Sequence, residues 1–250
     1  GGGRVENRQS RVALSRALER STVRLRTPVG LEGLEHDDFG VTAALSDGTS
    51  VRAPLVVGAE GRASRVRDLS GIGVVGWPYP RSGVVATVKL GRPHDGIAHE
   101  VFLPDGALAI LPLTDQRASL VWTEPHDRAR ALKAASLEAF TAHLSRRFGE
   151  FLGEVEELEP RFVYPLSLLL ADSLIAPRAA LVGDAGHGIH PLAGQGLNLG
   201  LKDAAALAQV LVEARRLGED IGGAAVLERY LRWRRFDNVT MAMMMDVFDR

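Results

Sequence analysis

The stretch from Ala179 to Asp203 constrains this chain most. A short apolar strand, Ala179-Ala180-Leu181-Val182, runs into Gly183-Asp184-Ala185-Gly186-His187-Gly188, and a strongly helical pattern opens at Gly196 or Leu197. Five glycines, Gly183, Gly186, Gly188, Gly194 and Gly196, and one acid fall between strand and helix. Glycines let the backbone approach a ligand closely, and a helix N-terminus offers unpaired N–H groups and positive dipole. An acid at a strand's end can accept hydrogen bonds from ribose or ribityl hydroxyls. The combination favours a nucleotide-type cofactor.

A second strand-to-helix junction repeats the theme. Leu55-Val56-Val57-Gly58 ends in Ala59-Glu60-Gly61, and Ser64 is positioned to cap a helix beginning at Arg65. Around these junctions the pattern predicts an amphipathic helix over 8–20 and strands over 23–25, 29–35, 41–45 and 51–53, with a hairpin at Asp47-Gly48. From Trp77 to about Leu170 the texture changes. Short alternating strands over 84–90, 99–103, 107–111 and 118–123 predict an antiparallel sheet, followed by a helix over 132–148 and a strand over 161–170. Two long helices, 196–217 and 224–245, close the chain. The expected architecture is therefore mixed α/β, with a substrate-type sheet of residues 79–170 inserted between cofactor-type parts 1–78 and 171–250.

Other motifs carry less. Gly71-Ile72-Gly73-Val74-Val75-Gly76 has the G-x-G-x-x-G form, but Trp77-Pro78-Tyr79-Pro80 follows, and two prolines forbid the helix that a dinucleotide fingerprint needs. His187 and His190 have the spacing of half a metal site, yet the chain has no Cys and no H-E-x-x-H helix, so both read as turn residues and no metal is expected. No G-x-S-x-G elbow supports a serine hydrolase. Thirty Lys and Arg against 31 Asp and Glu give a net charge of -1, which offers nothing to nucleic acid. No apolar run approaches the roughly 20 residues that span a bilayer. No basic-then-apolar leader is visible either.

The turn Gly183-Asp184-Ala185 with His190-Pro191-Leu192-Ala193-Gly194-Gln195-Gly196-Leu197-Asn198-Leu199-Gly200-Leu201-Lys202-Asp203 resembles the GD motif of the FAD-dependent aromatic-ring monooxygenases. Gly58 to Arg67 resembles their DG motif, with Glu60 where that family usually has Asp. Val5-Glu6-Asn7-Arg8, Leu111 to Asp115, Leu120-Val121-Trp122 and Arg229 to Arg235 are closest to the ubiquinone-biosynthesis branch, the polyprenyl-phenol hydroxylases. The resemblance covers nearly the whole chain, and it implies that the family's opening strand, glycine turn and helix precede Val5 and that a tail follows.

The resemblance implies FAD as cofactor and NAD(P)H as reductant, with hydroxylation of a polyprenylated phenol. Asp184 would hold flavin-side hydroxyls, Gly194, Gln195, Gly196, Leu197 and Asn198 would line the ring, and Pro191 would border its face. Asn7 and Arg8 would sit near the flavin, and Glu60 with Arg67 would support cofactor and NAD(P)H handling. It implies no catalytic acid or base. A non-catalytic module serving assembly or lipid binding, a halogenase and a prenyl reductase use the same scaffold and stay open. So do self-association and a cytoplasmic location peripheral to the inner membrane or within a biosynthetic complex.

Overall fold

A computed structural model describes residues 7–103, 106–149, 153–157, 160–189 and 196–234. They fall into two compact units. One comprises residues 26–78 and 167–250, the other residues 1–25 and 79–166.

In the first unit a meander of β1 (Leu31–Asp37), β2 (Gly40–Leu45) and β3 (Ser50–Ala53) pairs antiparallel throughout. The Asp47 carboxylate turns the chain between β2 and β3 by accepting the Thr49 N–H at 3.0 Å. A separate three-stranded sheet holds β4 (Val56–Gly58) parallel to β12 (Ala179–Leu181), which pairs in turn with β11 (Ile175–Ala176). β12 is fully buried, as its unbroken apolar run demands. Helices α2 (Arg65–Leu69) and α5 (Gly196–Arg216) and the helical segment 224–234 complete this unit. Its core gathers Val66, Leu181, Leu207, Val210, Leu227 and Tyr230. Tyr230 is fully buried and donates its hydroxyl to the Leu181 carbonyl at 2.7 Å. Burial, with the Asp203 charge nearby, pushes that phenol well above its ordinary range.

The second unit is built on antiparallel strands. β5 (Val74–Leu90), which enters from the first unit, pairs with β8 (Arg117–Pro125). β8 pairs with β7 (Gly106–Pro112), β7 with β6 (His99–Leu103), and the short β9 (Val155–Glu157) adds to β5. β10 (Phe162–Ala171) passes back toward the first unit, where its end pairs with β13 (His187–Gly188). Helices α3 (His126–Ala134) and α4 (Leu137–Phe148) contribute Ala129, Leu132, Phe140 and Leu144 to a core shared with Val84, Val88, Leu120 and Trp122. α1 (Asn7–Glu19) belongs to this unit and leaves Val12, Leu14 and Leu18 exposed.

Several expectations are corrected. Residues 23–25 form no strand, and Val23 and Leu25 stay exposed, so their apolar alternation has no sheet to join. The helix expected over 132–148 is two. Ala135 is extended, and Ser136 caps α4 by accepting the Ala139 N–H at 3.2 Å. Arg161 closes the end of α3 through the Leu132 carbonyl and, at 2.6 Å, the Ala135 carbonyl. β5 begins at Val74 and carries both prolines, while β7 is buried on both faces across Ala107 to Leu111 where alternation was expected. The end of the last predicted helix, 235–245, lies outside the described residues.

Candidate functional site

β4 and β12 run parallel and side by side, with Ala179 opposite Val56 and Leu181 opposite Gly58. Each ends in a turn bearing one of the two acids marked by sequence. Past the carboxyl end of β4 stands Glu60, and past that of β12 stands Asp184. The crevice outside the carboxyl ends of parallel strands is where α/β sheets bind ligands.

The two turns are built differently. Glu60 closes back on its own helix, accepting the Ser64 hydroxyl at 2.5 Å and the Val66 N–H at 3.2 Å. Ser64 in turn accepts the Arg67 N–H at 3.1 Å, so α2 is capped by a Ser–Glu pair. Asp184 lies in a 3₁₀ turn over Gly183–Ala185, half-buried, and makes no hydrogen bond or ion pair with another described residue. Gly183 turns with φ +62°, a conformation that favours glycine, and Gly200 of α5 packs so close that a Cβ there would stand 3.2 Å from the Gly183 Cα.

Arg67 joins the turns. Its side chain is buried, and its Nη1 donates to the Arg62 carbonyl at 3.0 Å and to the Ala185 carbonyl at 3.3 Å. Its charge partner is Asp68 at 3.2 Å, and Glu60 is occupied by Ser64 and Val66. The fold makes Arg67 a staple between residues 118 apart. Arg62 extends the linkage, donating to the Ser167 carbonyl at 2.7 Å and hydroxyl at 2.6 Å.

Beneath the second turn lies a buried ionic cluster that sequence reasoning missed. Asp203 of α5 has no exposed surface, yet it accepts the Gly183 N–H at 2.9 Å, the His187 Nε2–H and the Arg234 Nε–H at 2.7 Å. Burial alone pushes its carboxyl up, but the hydrogen bond and charge of His187, with Arg234 and the Gly183 N–H, outweigh that and hold it below the usual carboxylate range. His187 is therefore no ordinary turn residue. It sits in β13 at 1% exposure, and its Nδ1 has no hydrogen-bond partner among the described residues. The only sequence signal was an acid at the eighth residue of an otherwise apolar helix face, and its partners lie 16 and 31 residues away.

Of the remaining predicted residues, Gly196, Leu197 and Asn198 form the first turn of α5, with Leu197 and Asn198 exposed. Pro191, Gly194, Gln195 and His190 lie outside the described residues, as do the side chains of Asn7 and Arg8, which open α1 in the other unit. At Gly71 to Gly76 the chain enters β5 and no helix follows. A Cβ on Gly76 would stand 2.3 Å from the Leu168 carbonyl oxygen, so that glycine serves strand packing. Among the described residues no three His, Asp or Glu side chains converge as a metal site.

Comparison with known proteins defines the class. The FAD binding domain family matches residues 7–242, and the chain belongs to that family. Its fold is that of the FAD-dependent aromatic hydroxylases: PqsL, a probable FAD-dependent monooxygenase from Pseudomonas aeruginosa, superposes with a TM-score of 0.76 at 29% identity, over 95% of this chain and 66% of that one. Among relatives, ubiquinone hydroxylase UbiL of Rhodospirillum rubrum is 49% identical over 247 residues, which are 98% of this chain and 58% of that protein. The 3-demethoxyubiquinol 3-hydroxylase of Escherichia coli is 41% identical over 98% of this chain and 62% of its own length. The chain thus spans less than two thirds of the curated relatives it matches. No described helix is long and apolar enough to cross a membrane.

The described residues fit FAD. A half-buried carboxylate with no hydrogen-bond or ion-pair partner among the described residues, at the end of a parallel strand and beside a backbone turn that has no side chain at Gly183, can accept from ligand hydroxyls without first breaking a described bond.

Proposed function

We propose that this chain is the larger part of an FAD- and NAD(P)H-dependent monooxygenase that hydroxylates the aromatic ring of a polyprenylated phenol in ubiquinone biosynthesis. The observation that carries the reading is the pairing of the open Asp184 turn with the closed Glu60 turn at the ends of adjacent parallel strands. The relatives named for ubiquinone chemistry support the substrate class.

Each residue has a part in this account. Asp184 accepts hydroxyls of the cofactor's ribityl side. Asp203 holds the Gly183 N–H and His187, so the turn that carries Asp184 is set by a buried ionic cluster. Arg67 keeps the Glu60 and Asp184 turns in register through the Arg62 and Ala185 carbonyls. The first turn of α5, Gly196 to Asn198, together with Gly194, Gln195 and Pro191, lines the ring, and Asn7 and Arg8 are further cofactor residues by the family resemblance. The antiparallel sheet of β5 to β8 is the phenol-binding part of the chain. When bound, FAD supplies the redox chemistry, and the protein supplies position, dryness and electrostatics. Peripheral membrane or complex association accords with a prenylated substrate.

The test uses a protein carrying this sequence at the full length of its relatives. It should purify with flavin absorbance and couple NAD(P)H oxidation to hydroxylation of a polyprenylated phenol. Flavin binding without any hydroxylation of such phenols would leave the fold assignment intact and overturn the substrate class.

A further inference from the structure

The sheet of β5 to β8 has two faces, and one of them is filled by α3 and α4. Val84, Ala86, Val88, Leu120 and Trp122 turn toward those helices in a shared core. Successive residues of a strand point to opposite faces, so Gly83, Val85, Ser119 and Val121 turn the other way. Directly paired residues share a face, and Val121 is paired with Val85 on one side and Ala109 on the other. Val85, Val121 and Ala109 therefore form one row across three strands of the second face.

The margins of that face are aromatic. On one side Val163 of β10 packs into the core beneath the helices, so its neighbours Phe162 and Tyr164 project from the second face, where their rings stack at 6.4 Å between centroids. Leu166 follows in the same alternation and lies 3.7 Å from where a Cβ on Gly83 would stand. On the other side Phe102 of β6 is paired with Ala107 of β7 and projects the same way. Phe102, Phe162 and Tyr164 are all exposed, whereas Val85 and Val121 are half-buried and Ala109 is exposed by 9%. The margins are four strand spacings apart, about 19 Å.

The chemistry of this face selects its occupant. Between Arg81 at one end and Lys89 opposite Arg117 at the other, no residue of β5 or β8 on this face is charged. The backbone there is spent on the ladder, so the floor asks for no hydrogen bond. A second sheet or helix packs by interlocking its side chains with protruding partners at about 10 Å. Here the floor is cut down to valine and alanine while large rings stand at its edges, which suits an uncharged chain thinner than either. We propose, on the strength of the polyprenylated-phenol reading above, that this face holds the prenyl tail of the substrate, and that Val85, Val121 and Ala109 set the clearance for it. Phe102, Phe162 and Tyr164 offer ring faces to the tail at the two margins.

The probes are phenol, 2-prenylphenol and 2-farnesylphenol, titrated calorimetrically into the flavin-loaded protein at the full length of its relatives. Affinity should rise with the tail, by at least about tenfold from phenol to 2-farnesylphenol. Ala109→Leu, which fills the floor, should remove most of that rise and leave phenol binding and flavin content as they are. Val121→Ala adds no bulk, so it keeps the test decisive if Ala109→Leu fails to fold, and it should weaken 2-farnesylphenol several-fold with phenol unchanged. A tail preference that survives in the folded variants, or a loss that falls equally on phenol and 2-farnesylphenol, would overturn the proposal. So would a wild-type protein that binds 2-farnesylphenol no tighter than phenol, and hydroxylation of both would then leave the phenol reading standing. A flavin-loaded wild type that binds none of the three phenols would overturn that reading as well.

Discussion

Replacing Asp203 by alanine should cost this fold more than almost any other single change. The carboxylate joins four segments: the turn at Gly183, β13 through His187, its own helix α5, and the segment 224–234 through Arg234. In Asp203→Ala the Arg234 guanidinium keeps its charge at 2% exposure and loses the Asp203 carboxylate, a change that costs about 3–5 kcal/mol when one member of a buried pair is removed. The orphaned Gly183 N–H adds about 1 kcal/mol. Because the bonds share one acceptor these terms overlap, and about 4 kcal/mol in total is expected against a typical domain stability of about 5–15 kcal/mol. Asp203→Asn can still accept the Gly183 N–H and should lose about half as much. Urea unfolding followed by circular dichroism reads both. The pH dependence adds a signature. Asp203 titrates lower in the folded state than its unfolded value of about 3.9, so its contribution is complete above about pH 4 and fades as pH falls through the folded value. The gap between wild type and Asp203→Asn should therefore narrow below about pH 4. A loss within about 1 kcal/mol for Asp203→Ala, or a gap that widens in acid, would refute the reasoning.

The other expectations concern the turns. Asp184→Ala should weaken FAD retention by about tenfold or more with little change in stability, because Asp184 bonds nothing else described; equilibrium dialysis and thermal melting read the two effects. Glu60→Ala should do the reverse, costing about 1 kcal/mol through the lost cap of α2 while retaining flavin. Equal flavin loss in both variants would show that the acid is misassigned. Gly200→Ala should push against the Gly183 backbone at 3.2 Å and cost about 1–3 kcal/mol, with poorer flavin retention as the turn shifts. Tyr230→Phe should cost about 1 kcal/mol in the same unfolding assay, since the Leu181 carbonyl loses its hydroxyl donor while the ring still packs.

What could be read from residues alone was what is encoded locally. The strand ends at Gly58 and Leu181, the cap at Ser64 and the hairpin at Asp47-Gly48 each depend on a few adjacent residues, and all are present. The break at Ala135 escaped notice because 132–148 is apolar at helical spacing throughout. Ser136 signals a cap only once Arg161, 26 residues beyond Ala135, is seen closing the preceding helix. The buried cluster escaped for the same reason. An Asp within α5 reads as a polar interruption until the fold brings His187 and Arg234 to it. Nor could residues near α2 show that Glu60 closes the cap of its own helix while Arg67 reaches a carbonyl 118 residues away.

The central claim is that the Asp184 turn holds flavin. It is tested most directly by titrating FAD into a full-length protein carrying this sequence, side by side with Asp184→Ala, and following flavin fluorescence together with the colour that survives gel filtration. The account predicts a yellow protein with stoichiometric flavin, and an Asp184→Ala variant that folds normally but elutes largely colourless. A wild-type protein that stays colourless with excess FAD, or an Asp184→Ala variant that retains flavin as tightly as wild type, would contradict it.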